Sequence, residues 1–521
     1  MTQWVTQWVT HSMAKAERLD EEMEPEGDTP LVEGGPTSGP LERSDGATGI
    51  STDPSLRGAA ASRGFRTVLR NRYFLRLWIA QLISQTIQNA ANYGLIIIVA
   101  NRSHTSYFAT SLAIVAFALP AALFGAPSGV LVDRLNRRAV LWVSNVVRAS
   151  ACLVFAFSLL VDQHALIPAY MLSFFIAMVG QFFAPAEGAT IPLLVHREEL
   201  INALSLFNIT FTLAQALGLI ILGPLIILFV PQITVGTSPY TLQIPSIVSL
   251  FIVVALLYCL CAVLILSIPL RRLRQQKPAG APPRLRNETQ QLRSIGASIL
   301  ESITFIRRDP RLLIAVAQLC LGGTVVAVIA MIAPGFVKTF FHQPAELAAM
   351  VFVPAGAGLV IGSAITPRIV RRWRYGKTIM VGVILLSVCA VLLSVSRGVA
   401  IFFMPDMWWT AVPYLAAAIL LTFLVGIALD FINVPAQTIM QERSPDWIKG
   451  RVLAVQGMIL NIATVIFVPL MGLVADNVSI STAMIILATA IAVVGLGTVY
   501  FSSRLDKARN SAVGAPLPKR I

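Results

Sequence analysis

The chain has 521 residues and a formal net charge of +14, yet 56% of it is hydrophobic and only 13% charged. Soluble domains carry roughly 25% charged residues, so composition excludes a soluble enzyme; the cations fall in short breaks between apolar runs rather than on one face, which excludes a nucleic-acid binder. Apolar runs of the roughly 20 residues that cross a bilayer recur from Leu77 to Phe501 and predict an all-α membrane protein.

In chain order, residues 1–64 come first and are a different material. The stretch "EEMEPEGDTPLVEGGPTSGPLERSDG" is acidic and rich in Gly, Pro and Ser. It lacks the apolar surface that offsets ordering entropy, and predicts a disordered cytoplasmic tail. The opening "TQWVTQWVTH" has no charged region ahead of an apolar core, so it is not read as a signal peptide. Met1 and Met13 both stand as starts of translation.

Twelve spans follow, taken as apolar runs separated by charged or Pro/Gly-rich breaks. The first six cover about 77–100, 107–132, 139–161, 167–187, 203–230 and 246–270. A polar linker over 271–310, opening "RRLRQQKPAGAPPRLRNETQQLR", leads to six more at about 312–336, 346–367, 378–396, 411–434, 452–475 and 481–503. A basic tail closes the chain at 504–521. This predicts two six-helix bundles, over 65–270 and 311–503. The five cysteines, Cys152, Cys259, Cys261, Cys320 and Cys389, lie inside spans without metal or redox spacing and read as small buried hydrophobes.

Lys and Arg crowd the loops after even-numbered spans: Arg134, Arg137, Arg138, Arg197, ten in the linker from Arg271 to Arg311, then Arg368, Arg371, Arg372, Arg374, Lys377, Arg443, Lys449 and Arg451. Loops after odd-numbered spans hold Arg102, Lys338 and Arg397. The positive-inside rule places both termini and the linker in the cytoplasm of a plasma-membrane protein. The halves also repeat each other. "FFAPAEGATIPLLV" after span four matches "FINVPAQTIMQERS" after span ten, and "GVLVDRLNRR" after span two matches "GSAITPRIVRRWRYGK" after span eight. Parallel repeats of six spans describe a transporter of two similar bundles.

These motifs resemble the major facilitator superfamily, and within it the bacterial drug and siderophore exporters typified by macrolide efflux proteins and the enterobactin exporter. The superfamily signature G-x-L-x-D-R-x-G-R-[RK] reads here as Gly129, Leu131, Asp133, Arg134, Asn136, Arg137 and Arg138. Asn136 replaces the second glycine; because Asn tolerates left-handed backbone, the turn is expected to be kept. "RNRYFLRLWIAQLISQ", "FFAPAEGATIPLLVHREELINAL" and "NVPAQTIMQERSPDWIKGRV" look like exporter-branch segments, and the resemblance spans 65–503. It implies that Asp133 contacts the N-terminal end of span eleven, near Gly450 and Arg451, and latches the two halves in the outward-open state. Thr366 stands in the aspartate's place in the second copy, so the implied latch is asymmetric.

Charges deep in a membrane are functional hypotheses by default. Arg148 lies about ten residues into span three, placed to meet an anionic substrate, a carboxylate or a polar neighbour. Asp430 stands in an apolar setting in span ten, suited either to a proton-carrying role or to a lock with Arg368 or Arg371. Glu187 lies near the loop and is expected to pair with the motif arginines. Gln81, Gln85, Gln88 and Asn92 share one face of span one at spacings of four, three and four, and are expected to line the substrate cavity. Gly218, Gly223 and Pro224 in span five partly resemble an antiporter signature, and permit close packing or a bend.

"WRYGKT" has Arg371 where a phosphate-binding loop needs glycine, and His11, His104, His164, His196 and His342 fall in tails or loops. The sequence therefore predicts no enzyme, no cofactor and no metal. It predicts a monomeric secondary transporter exporting a small amphipathic or hydrophobic compound of drug, macrolide or siderophore class by alternating access, with protons as the coupling ion. The alternatives are a lysophospholipid or nutrient carrier of the same fold, and a non-transporting receptor or anchor.

Overall fold

The structure, a computed structural model, describes residues 67–103, 106–132, 135–162, 166–196, 199–229, 233–235, 242–244, 246–269, 288–403 and 412–513. The expected disordered tail and the motif residues Asp133 and Arg134 lie outside them. Ten helices are long and apolar enough to cross a membrane, and one of these, Ala349–Phe403, is two helices meeting at Arg374. The first span, Arg72–Arg102, is less apolar than the others because of its Gln and Asn stripe. With it, the protein is a multi-pass membrane protein of twelve spans in two six-helix bundles.

The spans of the first half are Arg72–Arg102, Tyr107–Val132, Arg137–Val161, Ile167–Leu194, the compound fifth span Leu200–Phe229, and Ser246–Leu266. A linker helix, Glu288–Arg308, leads to span seven at Pro310–Phe341. Spans eight and nine share Ala349–Phe403, and spans ten, eleven and twelve are Val412–Arg443, Asp446–Asn477 and Ile480–Val513. The helix of span twelve thus runs on into the expected basic tail.

Local chemistry sets the ends. Asn71 accepts from the amides of Tyr73 and Phe74 and starts span one. Asn136 does the same for span three, accepting from Arg138 at 3.1 Å and Ala139 at 3.4 Å. Its φ of −71° and ψ of 109° are extended, not left-handed. The residue that replaces the signature's glycine is therefore a helix cap, because a short side-chain oxygen satisfies two amides that the helix leaves unbonded. Asp309 caps span seven with Pro310 following, a pairing that suits a missing proline N–H. His342 ends that span at φ 52°, a left-handed C-terminal turn.

Span five is interrupted. Leu200–Ala216 passes through a π-helical stretch, Leu217–Leu222, into Gly223–Phe229. A Cβ on Gly218 would meet the Thr86 carbonyl, and a Cβ on Gly223 would lie 2.9 Å from the Tyr93 ring. The glycines therefore let span five lie directly against span one, and the π stretch supplies the bend. Pro224 is buried beside them. Ile233–Val235 and Leu242–Ile244 form a small antiparallel hairpin before span six, which the apolar-run pattern did not predict.

Candidate functional site

Among the described residues the two halves are hydrogen-bonded to each other at the end away from the linker, and Asp476 at the end of span eleven is central to it. Its carboxylate accepts from Ser106 Oγ at 2.7 Å, the Tyr107 amide at 2.7 Å and the Phe108 amide at 3.0 Å. The two amides open span two, where unsatisfied N–H groups and the helix dipole favour an anion. One turn earlier, a Cβ on Gly472 would lie 2.9 Å from Phe108 Cα, so glycine there sets how closely spans two and eleven cross. Nearby, Gly335 of span seven lies against the Tyr107 ring.

A second contact joins span one to the short helical turn Ala345–Ala348 between spans seven and eight. Tyr93 OH donates to the Glu346 carbonyl at 2.7 Å, and Asn101 Nδ2 donates to Glu346 Oε1 at 2.6 Å. Tyr93 also meets Phe352 edge-on with ring centroids 6.2 Å apart. None of Asp476, Glu346 or Tyr93 was a candidate from sequence. Asp476 falls just past the apolar run of span eleven, and only the crossing of spans two and eleven gives it amides to bind.

At the linker end the described signature residues are bound within their own half. Arg137 donates to the Ala189 carbonyl at 2.8 Å, and Arg138 donates to the Leu266 carbonyl. They therefore do not take Glu187, contrary to expectation; carbonyls at the ends of spans four and six lie closer to hand. Arg451, the cation expected to await Asp133, pairs with Glu301 of the linker helix at 2.9 Å. Phe305 packs edge-on against Trp447 beside it. Asp309 is bridged by Arg443 at 2.9 Å. Partial burial opposes ionisation of Asp309, but the hydrogen bonds from Arg443 and the Arg311 amide outweigh it and hold the carboxyl below its ordinary range.

Glu187 instead sits in a polar cluster inside the first half. It is 6% exposed, and Arg148 on span three is 1% exposed. The Arg148 guanidinium lies 5.3 Å from the Phe183 ring centre and 5.7 Å from that of Tyr258, with Ser84 Oγ at 3.4 Å. Ser84 in turn donates to Asn145 Oδ1 at 3.3 Å. Gly180 makes room, since a Cβ there would lie 3.0 Å from the guanidinium.

The stripe on span one divides. Gln81 is buried at the level of Ser84, with its Oε1 unpartnered, and Gln85 is half-buried. Gln88 and Asn92 line a small pocket with Phe117 of span two and Ser173 and Ile176 of span four. In the second half, Asp430 is 8% exposed with Oδ2 unpartnered. It packs on the repeat-motif glycine: a Cβ on Gly362 would lie 3.0 Å from Asp430 Cβ. Arg368 and Arg371 are exposed and form no ion pair with it, so the expected lock is absent among the described residues. Near by in the same bundle is a cavity of about 60 Å³ walled by apolar side chains such as Ile329, Phe336, Leu386 and Met484. Of the cysteines, four are buried and Cys259 is exposed on span six, which corrects the expectation that all five are interior.

The Major Facilitator Superfamily profile matches residues 77–405, more than half of the chain. The chain belongs to the Major Facilitator Superfamily. An uncharacterized MFS-type transporter of Bacillus subtilis (strain 168), YfiS, is 24% identical over 422 residues, which is 80% of this chain and 91% of that protein. A second from the same organism, YkuC, is 26% identical over 151 residues, 29% of this chain and 35% of that protein. Among solved structures, the nucleoside transporter NupG aligns with a TM-score of 0.58 at 11% identity, covering 82% of this chain and 98% of its own. A bacterial homolog of the lysosomal transporter Spinster, inward-facing and unoccupied, gives 0.58 at 14%, covering 83% and 97%. These superfamily structures share the fold, and the fold serves many substrates.

Proposed function

We propose that this superfamily member is a secondary active exporter that moves a small amphipathic or hydrophobic compound by alternating access, driven by protons and working as a monomer. The observation that carries the reading is the one-sided closure among the described residues. Asp476, Gly472, Tyr93 and Glu346 hold the halves together at one end, while Arg137, Arg138 and Arg451 at the other are engaged within their own half or with the linker helix. A rocking carrier needs two such closures, each used in turn.

Positive-inside charge puts the linker end in the cytoplasm of the plasma membrane, so this state faces inward, as the Spinster homolog does. In the opposite state Asp133 takes up the role at the linker end that Asp476 plays here, once Arg451 leaves Glu301. An apolar cavity and a neutral Gln and Asn stripe suit a substrate recognised by shape and hydrogen bonds. The proposed cycle changes no covalent bond and needs no cofactor. The apolar cavity also favours a second reading, a lysophospholipid carrier whose acyl chain it would take.

The test is inside-out vesicles with an imposed pH gradient and a panel of labelled lipophilic compounds, lysophospholipids included. Accumulation of at least one drug-class probe supports export. Accumulation of lysophospholipid alone selects the second reading, and accumulation of none overturns both.

A further inference from the structure

The six spans of the first half hold a single carboxylate between them. Spans one, two, three, five and six contain no Asp or Glu, and span four contains only Glu187. Away from the helix ends they also hold a single cation, Arg148. Chance spacing does not bring the two together, since they lie on different helices, yet the fold places both in one buried cluster.

The cluster is not a closed structural bridge. A charge at this depth costs about 2.5–3.5 kcal/mol even on insertion scales, and a purely structural pair offsets that by satisfying every polar atom. Here Arg148 Nε, Glu187 Oε1 and Gln81 Oε1 all lack partners. Arg148 packs on the face of span four that carries Gly180 and Phe183, the latter one turn before Glu187, without forming an ion pair with Glu187. On the side of Glu187, span three brings Arg148, which lies over the Phe183 ring one turn before Glu187, and from its start Arg137, which is held on the Ala189 carbonyl. Span six brings Tyr258 and Cys261 to the same cluster. Span one brings the neutral Gln81 and Ser84, and span five carries no ionisable side chain.

We propose that Glu187 is a proton-carrying group of this transporter, with Arg148 as its built-in counter-ion. This rests on the transport reading above and adds a second acid to Asp430, in the half that the cavity does not occupy. A proton from water adds to a Glu187 carboxylate oxygen and leaves again to water; no other bond changes. With Glu187 ionised the cluster is neutral, and with Glu187 protonated the charge of Arg148 is uncompensated. Each proton therefore switches the interior of the first half between two electrostatic states. Such a switch biases the packing of spans three and four, and among the described residues Asp430 has no buried cation with which to do the same.

The experiment is pH-difference infrared spectroscopy of the full chain in lipid, which needs protons alone as the probe. The protein should show a carboxylic-acid carbonyl signal that grows as pH falls, with one component that Glu187→Gln removes and Asp430→Asn leaves. Glu187→Asp keeps a carboxyl and should restore a band, which separates loss of the proton site from misfolding. Arg148→Met should move the midpoint of the Glu187 band upward, because a carboxylate that loses its counter-charge holds its proton more tightly. A spectrum of folded Glu187→Gln that superimposes on that of the unaltered protein, or a midpoint indifferent to Arg148→Met, overturns the proposal. Failure of the transport reading is distinct: no probe would move in vesicles while the Glu187 band persisted.

Discussion

The end of the molecule away from the linker and the linker end hold the two halves differently. Away from the linker, a carboxylate of one half caps a helix of the other, and a glycine lets the two helices cross at close range. At the linker end the comparable charges, Arg137, Arg138, Arg451 and Arg443, are engaged by carbonyls of their own half or by acids at Glu301 and Asp309. The difference teaches that a closure here is a matter of which group holds a partner, since cations and acids are present at both ends. A cap or ion pair that changes hands can switch a carrier for a few kcal/mol, whereas rebuilding a packed core could not.

The comparison can be broken most forcefully at the crossing of spans two and eleven. Gly472→Leu should wedge Phe108 away, at a cost of about 1–3 kcal/mol for overpacking, and drive the protein toward the state open at the Asp476 end. Thiol labelling of a cysteine placed at that end should rise, and unchanged labelling would show that the glycine is not a contact point. Asp476→Ala should act in the same direction with about 0.5–2 kcal/mol, the usual cost of a lost cap. Labelling at the same position would then increase by a smaller factor, provided the helix content is unaltered.

How much of this was legible in the sequence depends on distance along the chain. Spans, repeats and the six-linker-six order follow from hydropathy because each bilayer crossing needs its own apolar run. Asn136 was visible as a departure from the signature, but its use as a cap rather than a left-handed turn is decided by which amides it can reach. Glu187 sits 39 residues beyond Arg148 and 49 to 53 beyond the motif arginines. Its place toward the cytoplasmic end of span four pointed to those arginines, and only helix packing shows that it is buried on the side of Arg148 instead. Asp476 and Ser106 are further apart still, and nothing local marks either.

Weaker effects should sharpen the linker end. Glu301→Gln removes an exposed partner of Arg451, worth about 0–1 kcal/mol; it should slightly favour the state in which Arg451 is free, read as a small fall in labelling at the linker end. A rise would contradict the exchange of partners proposed for Arg451. The smallest effect is one of pH. Because the Asp309 carboxyl is held below its ordinary range, its contribution is complete above the unfolded carboxylate value and is lost only as pH falls through the lowered one. Amide exchange at Arg311 and Leu312 should therefore stay slow at neutral and mildly acid pH and quicken only in strong acid. Asp309→Asn should abolish that dependence.

The central claim, that the two ends alternate, is tested most directly by two distances in one protein. With the five native cysteines replaced, spin labels at the exposed Val161 and Phe402 report the closed end, and labels at the exposed Leu135 and Trp447 report the linker end. Asp476→Ala should lengthen the first distance and shorten the second. Two distances that stay fixed, or that move in the same direction, would contradict the account.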